Sequence, residues 1–182
     1  MSKFLMIIIF VTCISFQIDD TRVHWVERRN LKFSDFRGDA TSKNISDADA
    51  GSGIRILQTF DTQPTQFNYN IVTVFEKDFS YMYINDSLLL IHEEKHFDIG
   101  EISARVLRKN ISTHIHSLKD LDTIGLIINR VYDYQDYLND SYDQETKHGI
   151  NEDNQHKWNI KIQKMLDSLK EYENPNGTII LK

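Results

Sequence analysis

The segment from Leu88 to Ile111 places two histidines and a glutamate on the apolar side of a predicted helix, and it constrains the fold more than any other part of the chain. The order is His92-Glu93-Glu94-Lys95-His96, so the two histidines lie one turn apart and project about 40° from each other. Imidazoles at this spacing can ligate one metal ion, with a glutamate beside them to act on bound water. The pattern predicts a Zn²⁺ site with His92 and His96 as ligands.

The helical projection divides this segment into two faces. Apolar residues share the side of the histidines: Leu88, Ile99, Ile102, Val106 and Leu107. Charged residues collect elsewhere and are predicted to face solvent: Glu94, Asp98, Glu101, Arg105 and Arg108. An unpaired carboxylate next to an apolar stripe is costly, which favours a metal site over two hydrogen-bonded core histidines. Asp98 is expected to pair with Arg105, or else to orient a metal ligand from outside.

Length and charge narrow the class of protein. A chain of 182 residues suits one domain with a real core and is short for two. The net charge is −6, without a run of lysine or arginine. Because nucleic-acid binding depends on clustered positive charge, these numbers argue against a nucleic-acid partner.

The first residues predict export. Lys3 precedes an apolar run, Phe4–Val11, and smaller residues follow it. This is typical of a signal peptide over residues 1–17, and the run is too short to span a bilayer well. A buried first strand and an uncleaved anchor are the alternatives. The mature domain, residues 18–182, would be periplasmic or extracellular without stable membrane insertion. A lipoprotein anchored through Cys13 is disfavoured because Phe10-Val11-Thr12 fits that signal poorly.

The order of predicted elements indicates an α+β fold in one domain, with a small N-terminal antiparallel sheet packed on three C-terminal helices. Alternation and turn residues predict strands at Ile54–Phe60, Phe67–Phe75, Phe79–Ile84 and Thr178–Leu181. Helices are predicted at Ser87–Ser112, Leu118–Leu138 and Glu152–Tyr172, with a loop over Asn139–Asn151. The first of these helices would be a zincin-like active-site helix.

Chain length suggests where a third ligand can come from, since a catalytic zinc usually takes three from the protein. The first helix carries the chain roughly 24 Å beyond His96, and an antiparallel second helix would return it about 30 Å. The chain is then near the metal again at His148, which is the predicted third ligand. Asp143 and Glu145 are substitutes, and His156 is a more distant one.

The chain resembles a bacterial family of predicted secreted zinc-dependent proteases whose biological role is largely unassigned. The resemblance covers nearly the whole mature chain and rests on five stretches: Trp25, Leu31–Gly38, Leu89–Ile99 with Ala104-Arg105, Tyr142–Gly149 and Gln155–Trp158. It implies a metallopeptidase in which His92 and His96 are ligands and Glu93 is the general base. The segment Glu145-Thr146-Lys147-His148-Gly149 also favours His148 by motif.

The expected reaction is peptide-bond hydrolysis on a peptide or protein substrate, with Glu93 moving the proton of a zinc-bound water. Tyr142 or His156 is a candidate donor to the developing oxyanion. The strand Phe67–Phe75 is either an edge to which an extended peptide adds or an internal strand. Two alternatives remain open: an exported metal-binding or partner-binding domain without catalysis, and a zinc hydrolase of a non-peptide amide. The oligomeric state is left open by the sequence.

Overall fold

The structure is a computed structural model that describes residues 19–27, 29–39 and 49–182. The predicted signal peptide and Cys13 lie outside these residues. Within the described ranges, no helix is both long enough and apolar enough to cross a membrane.

The described residues contain six strands: β1 (Arg22–His24), β2 (Ala50–Gly51), β3 (Ile54–Gln63), β4 (Gln66–Glu76), β5 (Tyr81–Met82) and β6 (Asn176–Ile180). β3 and β4 form a hairpin whose last pair is Gln63 with Gln66. β4 pairs with β3 on one side and with β1 and β6 on the other, all antiparallel. β2 and β5 form a separate pair. Because β4 has neighbours on both sides, Phe67–Phe75 is an internal strand, and the alternative of a free edge is excluded.

The part of the chain that the structure describes also contains three α-helices: α1 (Ser87–His114), α2 (Ile124–Thr146) and α3 (Glu152–Ser168). α1 packs against β3 and β4 as well as against α2 and α3. One apolar cluster contains Phe67, Ile71, Leu107 and Ile111 from the sheet and α1. A second, with Ile99, Ile102, Tyr142 and Trp158, joins the three helices. The predicted α+β arrangement of a small antiparallel sheet and three helices is confirmed, although the C-terminal strand β6 also belongs to the sheet.

α2 extends further than the sequence pattern predicts. Its last residue is Thr146, whereas a loop was predicted from Asn139 onward. The polar run Asn139-Asp140-Ser141 resembles a loop in isolation, but the buried positions of α2 continue through it at helical spacing: Ile127, Val131, Gln135, Leu138, Tyr142 and Thr146. Tyr142 packs in the apolar cluster that joins the three helices, and Thr146 is buried as well, so burial stabilises the extra turns.

The predicted solvent face of α1 is also wrong. Glu101, Arg105 and Arg108 are all buried, because α1 is covered by the sheet and by the other helices. The charges compensate one another: Glu101 Oε1 accepts hydrogen bonds from Arg105 Nε at 3.0 Å and from Arg108 Nη1 at 2.9 Å. Arg108 also donates to the carbonyl oxygens of Ile71, at 2.7 Å, and Tyr172, at 2.8 Å. This network ties α1 to the sheet and to the segment after α3.

Candidate metal centre

A capping aspartate fixes the start of α1, and a glycine further along brings the helix close to the sheet. The side chain of Asp86 caps the helix by accepting hydrogen bonds from the backbone N–H groups of Leu88 at 2.7 Å and Leu89 at 3.1 Å. Further along, a Cβ atom on Gly100 would lie 2.6 Å from Ile54 Cγ2. Only glycine permits this close approach, so α1 is held tightly against β3.

Three donor atoms converge on one point beside α1. Asp143 Oδ1 lies 3.1 Å from His92 Nε2 and 2.9 Å from His96 Nε2. The two Nε2 atoms are 3.2 Å apart. Donors bonded to a tetrahedral zinc ion are about 3.3 Å from one another, given bond lengths near 2.0–2.1 Å. His92, His96 and Asp143 therefore form a group able to hold a metal ion.

The other nitrogen of each imidazole is held by an amide. His92 Nδ1 donates to Gln155 Oε1 at 3.2 Å, and His96 Nδ1 donates to Asn139 Oδ1 at 2.9 Å. A carbonyl oxygen can only accept, so each Nδ1 carries a hydrogen, and each ring, once its Nε2 is free of a proton, can direct a lone pair from that nitrogen to the centre. Gln155 is itself oriented, since its Nε2 donates to Asn159 Oδ1 at 2.8 Å. These are the tautomers that metal ligation requires.

Electrostatics at the centre favour a cation. Burial by itself would lower the pKa of His96, but its hydrogen bond to Asp143 and the charge of Glu93 outweigh burial and raise that pKa to about 9. Burial would raise the pKa of Asp143, whereas its hydrogen bonds to His92 and His96 hold it well below its usual range. Without a metal ion, the centre therefore retains a proton between His96 and Asp143 at neutral pH.

Glu93 lies next to the convergent donors. Its side chain is buried and accepts a hydrogen bond from the hydroxyl of Ser52, which lies between β2 and β3. It lines the same cleft as the histidines. A carboxylate in this position can accept a proton from a group bound at the centre.

His148 lies on the turn between α2 and α3. Lys147 and His148 both have left-handed backbones, with φ of 52° and 53°, and Gly149 follows at φ 85°. A Cβ atom on Gly149 would lie 3.1 Å from His92 Cβ, so this turn packs directly on the metal centre. His148 Nδ1 lies 3.7 Å from Asp143 Oδ1, and its side chain is 68% exposed. The chain thus returns close to the two histidines at this turn, as predicted from its length. The third member of the convergent group is Asp143, and ligation by His148 stays a prediction.

The proposed oxyanion donors lie away from the cleft lining. Tyr142 stacks on His92 with ring centroids 4.5 Å apart and donates to Gln155 Oε1 at 3.0 Å. Burial raises the pKa of Tyr142 well above its usual range. His156 is exposed on α3, and its neighbour Gln155 is the residue that contacts the centre. Glu145, a substitute ligand by sequence, accepts a hydrogen bond from Trp158 Nε1 at 2.8 Å.

Asp98 anchors the N-terminal segment. It accepts hydrogen bonds from Trp25 Nε1 at 2.9 Å, Arg29 Nε at 2.7 Å and Lys95 Nζ at 2.8 Å. Burial would raise the pKa of Asp98, but the hydrogen bond from Arg29 and the charge of Lys95 lower it. The predicted pairing with Arg105 is wrong, because Arg105 pairs with Glu101. Asp98 therefore fixes the chain before β2 to the outer side of α1.

A cleft of about 860 Å³ opens over the metal centre, within the size range of small-ligand sites. Its floor is the first half of α1. One wall comes from the segment around β2 and from the residues between β5 and α1. The other comes from α2 and the His148 turn, and its residues are Gln135, Asp136, Asn139, Asp143, His148, Gly149 and Ile150.

The sequence contained a signal for this second wall. Gln135, Asn139 and Asp143 recur every four residues, the same spacing as His92 and His96, so they share one face of α2. Because the helix was predicted to end at Leu138, Asn139 and Asp143 were assigned to a loop and the shared face was missed. Gln155, by contrast, reaches His92 only through the packing of α3 on α1, which no local pattern reveals.

Comparisons of the chain with family models, with curated proteins and with solved structures gave no match. The resemblance to the secreted zinc-dependent proteases therefore stays a prediction.

Proposed function

We propose that this protein is an exported zinc-dependent peptidase that hydrolyses peptide bonds in the cleft above α1. One observation carries the proposal: His92 Nε2, His96 Nε2 and Asp143 Oδ1 converge within 3.2 Å of one another in a cleft that Glu93 also lines. Paired metal donors beside a buried carboxylate are the parts that metal-assisted hydrolysis needs.

The donor set suits zinc. Two imidazole nitrogens and one carboxylate oxygen match its preference for mixed nitrogen and oxygen ligands in tetrahedral geometry. Calcium and magnesium favour oxygen donors throughout. Structural zinc sites are usually closed by four protein ligands, often cysteines. Among the described residues the convergent group has three members and faces an open cleft, which favours catalysis over a purely structural role.

The chemistry divides between the metal and the chain. When bound, zinc lowers the pKa of a coordinated water and polarises a substrate carbonyl. Glu93 accepts the proton of the attacking water and later delivers it to the amine that leaves. Ser52 holds the Glu93 carboxylate by its hydroxyl hydrogen bond, which limits the rotamers that the base can adopt. Asn139 and Gln155 hold the two imidazoles through their Nδ1 atoms.

The test is metal analysis of the purified mature chain together with a mixed-peptide cleavage assay, with and without a chelator. We expect one zinc per chain, peptide cleavage that the chelator abolishes, and recovery on adding zinc. Glu93→Gln should retain zinc and lose cleavage, because the amide binds no proton at neutral pH. His114→Gln is the matched control, since His114 is exposed at the far end of α1.

Other results would select the alternatives. Zinc binding without hydrolysis of any peptide or amide would leave a metal-binding domain without catalysis. Chelator-sensitive hydrolysis of small amides, with peptides intact, would identify a hydrolase of a non-peptide amide. Export rests on the first 17 residues; a mature N-terminus at residue 18 in secreted protein would support it, and an intact Met1 in the cytoplasmic fraction would contradict it.

A further inference from the structure

One long edge of the sheet is open. Among the residues that the structure describes, β3 pairs with β4 and with no other strand, and residues 59–63 of β3 are all exposed. An exposed strand edge offers unpaired backbone groups to another strand, and natural sheets commonly block such edges with lysine, proline or a bulge. Residues 56–63 contain no lysine, arginine or proline, and their register with β4 runs without a bulge.

The register shows which backbone groups of β3 face outward. Gly53 O, directly before β3, accepts a hydrogen bond from the backbone of β4 at 2.7 Å, and bonded pairs recur at every second residue of an antiparallel ladder. Odd-numbered residues of β3 therefore bond to β4, and even-numbered residues point their N–H and C=O groups away from it. The hydrogen bond from Gln58 Nε2 to Ile56 O at 3.0 Å agrees with this alternation. The backbones of Gln58, Phe60 and Thr62 face outward without a partner among the described residues.

This open stretch is closed at both ends. Toward the cleft, the hydroxyl of Tyr132 on α2 donates to Ile56 O at 3.4 Å and accepts from Gln58 Nε2 at 2.6 Å. At the other end, β3 stops at the turn to β4. A strand that adds to this edge is therefore limited to residues 58–62, and Phe60 is the middle of that stretch.

We propose that this edge joins two copies of the chain, whose β3 strands pair antiparallel about a twofold axis at Phe60. A strand that pairs with itself in this way satisfies its outward groups reciprocally, as a twofold interface requires. Phe60 then faces its own counterpart, and Gln58 faces Thr62 of the other copy. The pairing forms about six hydrogen bonds between the chains and joins the two sheets into one.

The side chains on β3 favour a second copy over an unrelated peptide. Phe60 is 37% exposed and stacks on Phe67 with ring centroids 5.6 Å apart. A second Phe60 at the axis covers the exposed part of the ring and continues the stack across both chains. Asp61 carries the one charge in residues 56–63. In this register Asp61 faces Thr59 of the other copy, so the two carboxylates are not opposed.

Analytical ultracentrifugation of the purified mature chain, at about 1 to 500 µM, brackets micromolar dissociation constants and tests the pairing. The mass should rise with concentration from one chain to two and stop there, with a dissociation constant on the order of 10 µM for an interface below standard size. A single chain at every concentration would overturn the proposal. A series beyond two chains would also overturn it, because head-to-tail addition to another edge does not close. The measurement involves neither zinc nor hydrolysis, so it is independent of the proposed function.

Two replacements on the edge should weaken the pairing. Phe60→Lys opposes two cations at the axis, and Thr62→Pro removes an outward N–H while the bonds to β4 remain. Each should raise the dissociation constant at least about tenfold, given the lost contacts and hydrogen bonds. Thr59→Lys is the matched control: it adds the same charge to the same strand but opposite Asp61 of the other copy, so it should not weaken the pairing. Equal weakening by Thr59→Lys would contradict the register.

A disulfide locates the axis in a second, independent measurement. Cys13 precedes residue 18, so an introduced cysteine is the sole one in the mature chain. Phe60→Cys places two thiols at the axis, where paired Cα atoms are about 5.5 Å apart, within reach of a disulfide. In Thr62→Cys the two thiols are about 14 Å apart along the strands. Mild oxidation should link Phe60→Cys into a dimer at least about tenfold faster than Thr62→Cys. Equal rates, or faster linkage of Thr62→Cys, would overturn the axis at Phe60.

Discussion

Gln155 on α3 accepts a hydrogen bond from His92 Nδ1 on α1 across 3.2 Å. The residue that fixes the tautomer of one candidate ligand therefore belongs to a different helix, 63 positions later in the chain. Tyr142 stacks on the same imidazole, so His92 is restrained through its nitrogen and through its ring face. The geometry of the centre thus depends on the packing of all three helices.

Removing this support should weaken metal binding. Gln155→Met keeps the size of the side chain and deletes the acceptor, so the zinc affinity should fall about 10–100-fold, as for other residues that orient metal ligands. Competition with a chromophoric chelator measures it. His156→Gln, one position along on the exposed side of α3, should bind zinc as the unaltered protein does; an equal loss in both variants would contradict the role of Gln155.

The third ligand can be identified by two single replacements. Asp143→Ala removes a member of the convergent group and should reduce zinc affinity more than about 100-fold, a larger effect than loss of a supporting hydrogen bond. His148→Ala removes an exposed side chain and should change the affinity less than about tenfold by the same comparison. The opposite order, by the same chelator competition, would make His148 the ligand and Asp143 its support.

The metal-free protein should lose stability as the pH rises above neutral. The folded-state pKa of His96 is about 9 against an ordinary value of 6.5, so this group stabilises the fold fully below about pH 6.5 and ceases to do so as the pH passes through about 9. Asp143 has the opposite pH dependence. Its pKa is lowered in the folded protein, so its contribution to stability is lost in acid, as the pH falls below the ordinary pKa of an aspartate.

Thermal unfolding of chelator-treated protein checks this pH dependence. The melting temperature should fall between about pH 6.5 and 9, and His96→Gln should flatten that fall. Added zinc should raise the melting temperature more at pH 8.5 than at pH 6, because zinc competes with the His96 proton. A zinc-induced shift in melting temperature that does not grow with pH would contradict the inference that the metal-free centre retains a proton.

The turn that packs on His92 depends on a glycine. Gly149 has φ 85°, and a Cβ atom there would lie 3.1 Å from His92 Cβ. Gly149→Ala should destabilise the protein by about 1–2 kcal/mol through the left-handed backbone alone, and it should also weaken zinc binding. Gly125→Ala is the contrasting variant, because an added Cβ meets nothing within 4 Å; it lies in α2 and should stabilise by up to about 1 kcal/mol. Urea unfolding measures both.

The buried charges of α1 should affect the stability of the fold and not the affinity for zinc. Arg108 is fully buried and pairs with Glu101, so Arg108→Met leaves a carboxylate with fewer partners and should cost about 3–5 kcal/mol. Arg130→Met, at an exposed position of α2, should change stability by less than about 0.5 kcal/mol. The folded fraction of Arg108→Met should bind zinc normally; a specific loss of affinity would show that this network also supports the centre.

The predicted secondary structure agrees with the observed one where interactions within a segment determine its conformation. The alternation of Ile54–Phe60 and Phe67–Phe75 predicted strands β3 and β4, and the helix predicted from Ser87 begins at that residue, because strand alternation and helix capping are local properties. The long reach of α2 was missed, because buried contacts of Tyr142 and Thr146 outweigh the loop-like composition of Asn139-Asp140-Ser141.

The sequence by itself determined that His92, Glu93 and His96 lie together, since the pitch of an α-helix brings positions four residues apart onto one face. Only the tertiary structure decided what surrounds them. Asp143 and Gln155 reach the histidines through the packing of α2 and α3 on α1, and the charged side of α1 is buried because other elements cover it. Such contacts join residues that are distant in the chain, so they depend on how whole elements pack and not on the pattern within any one of them.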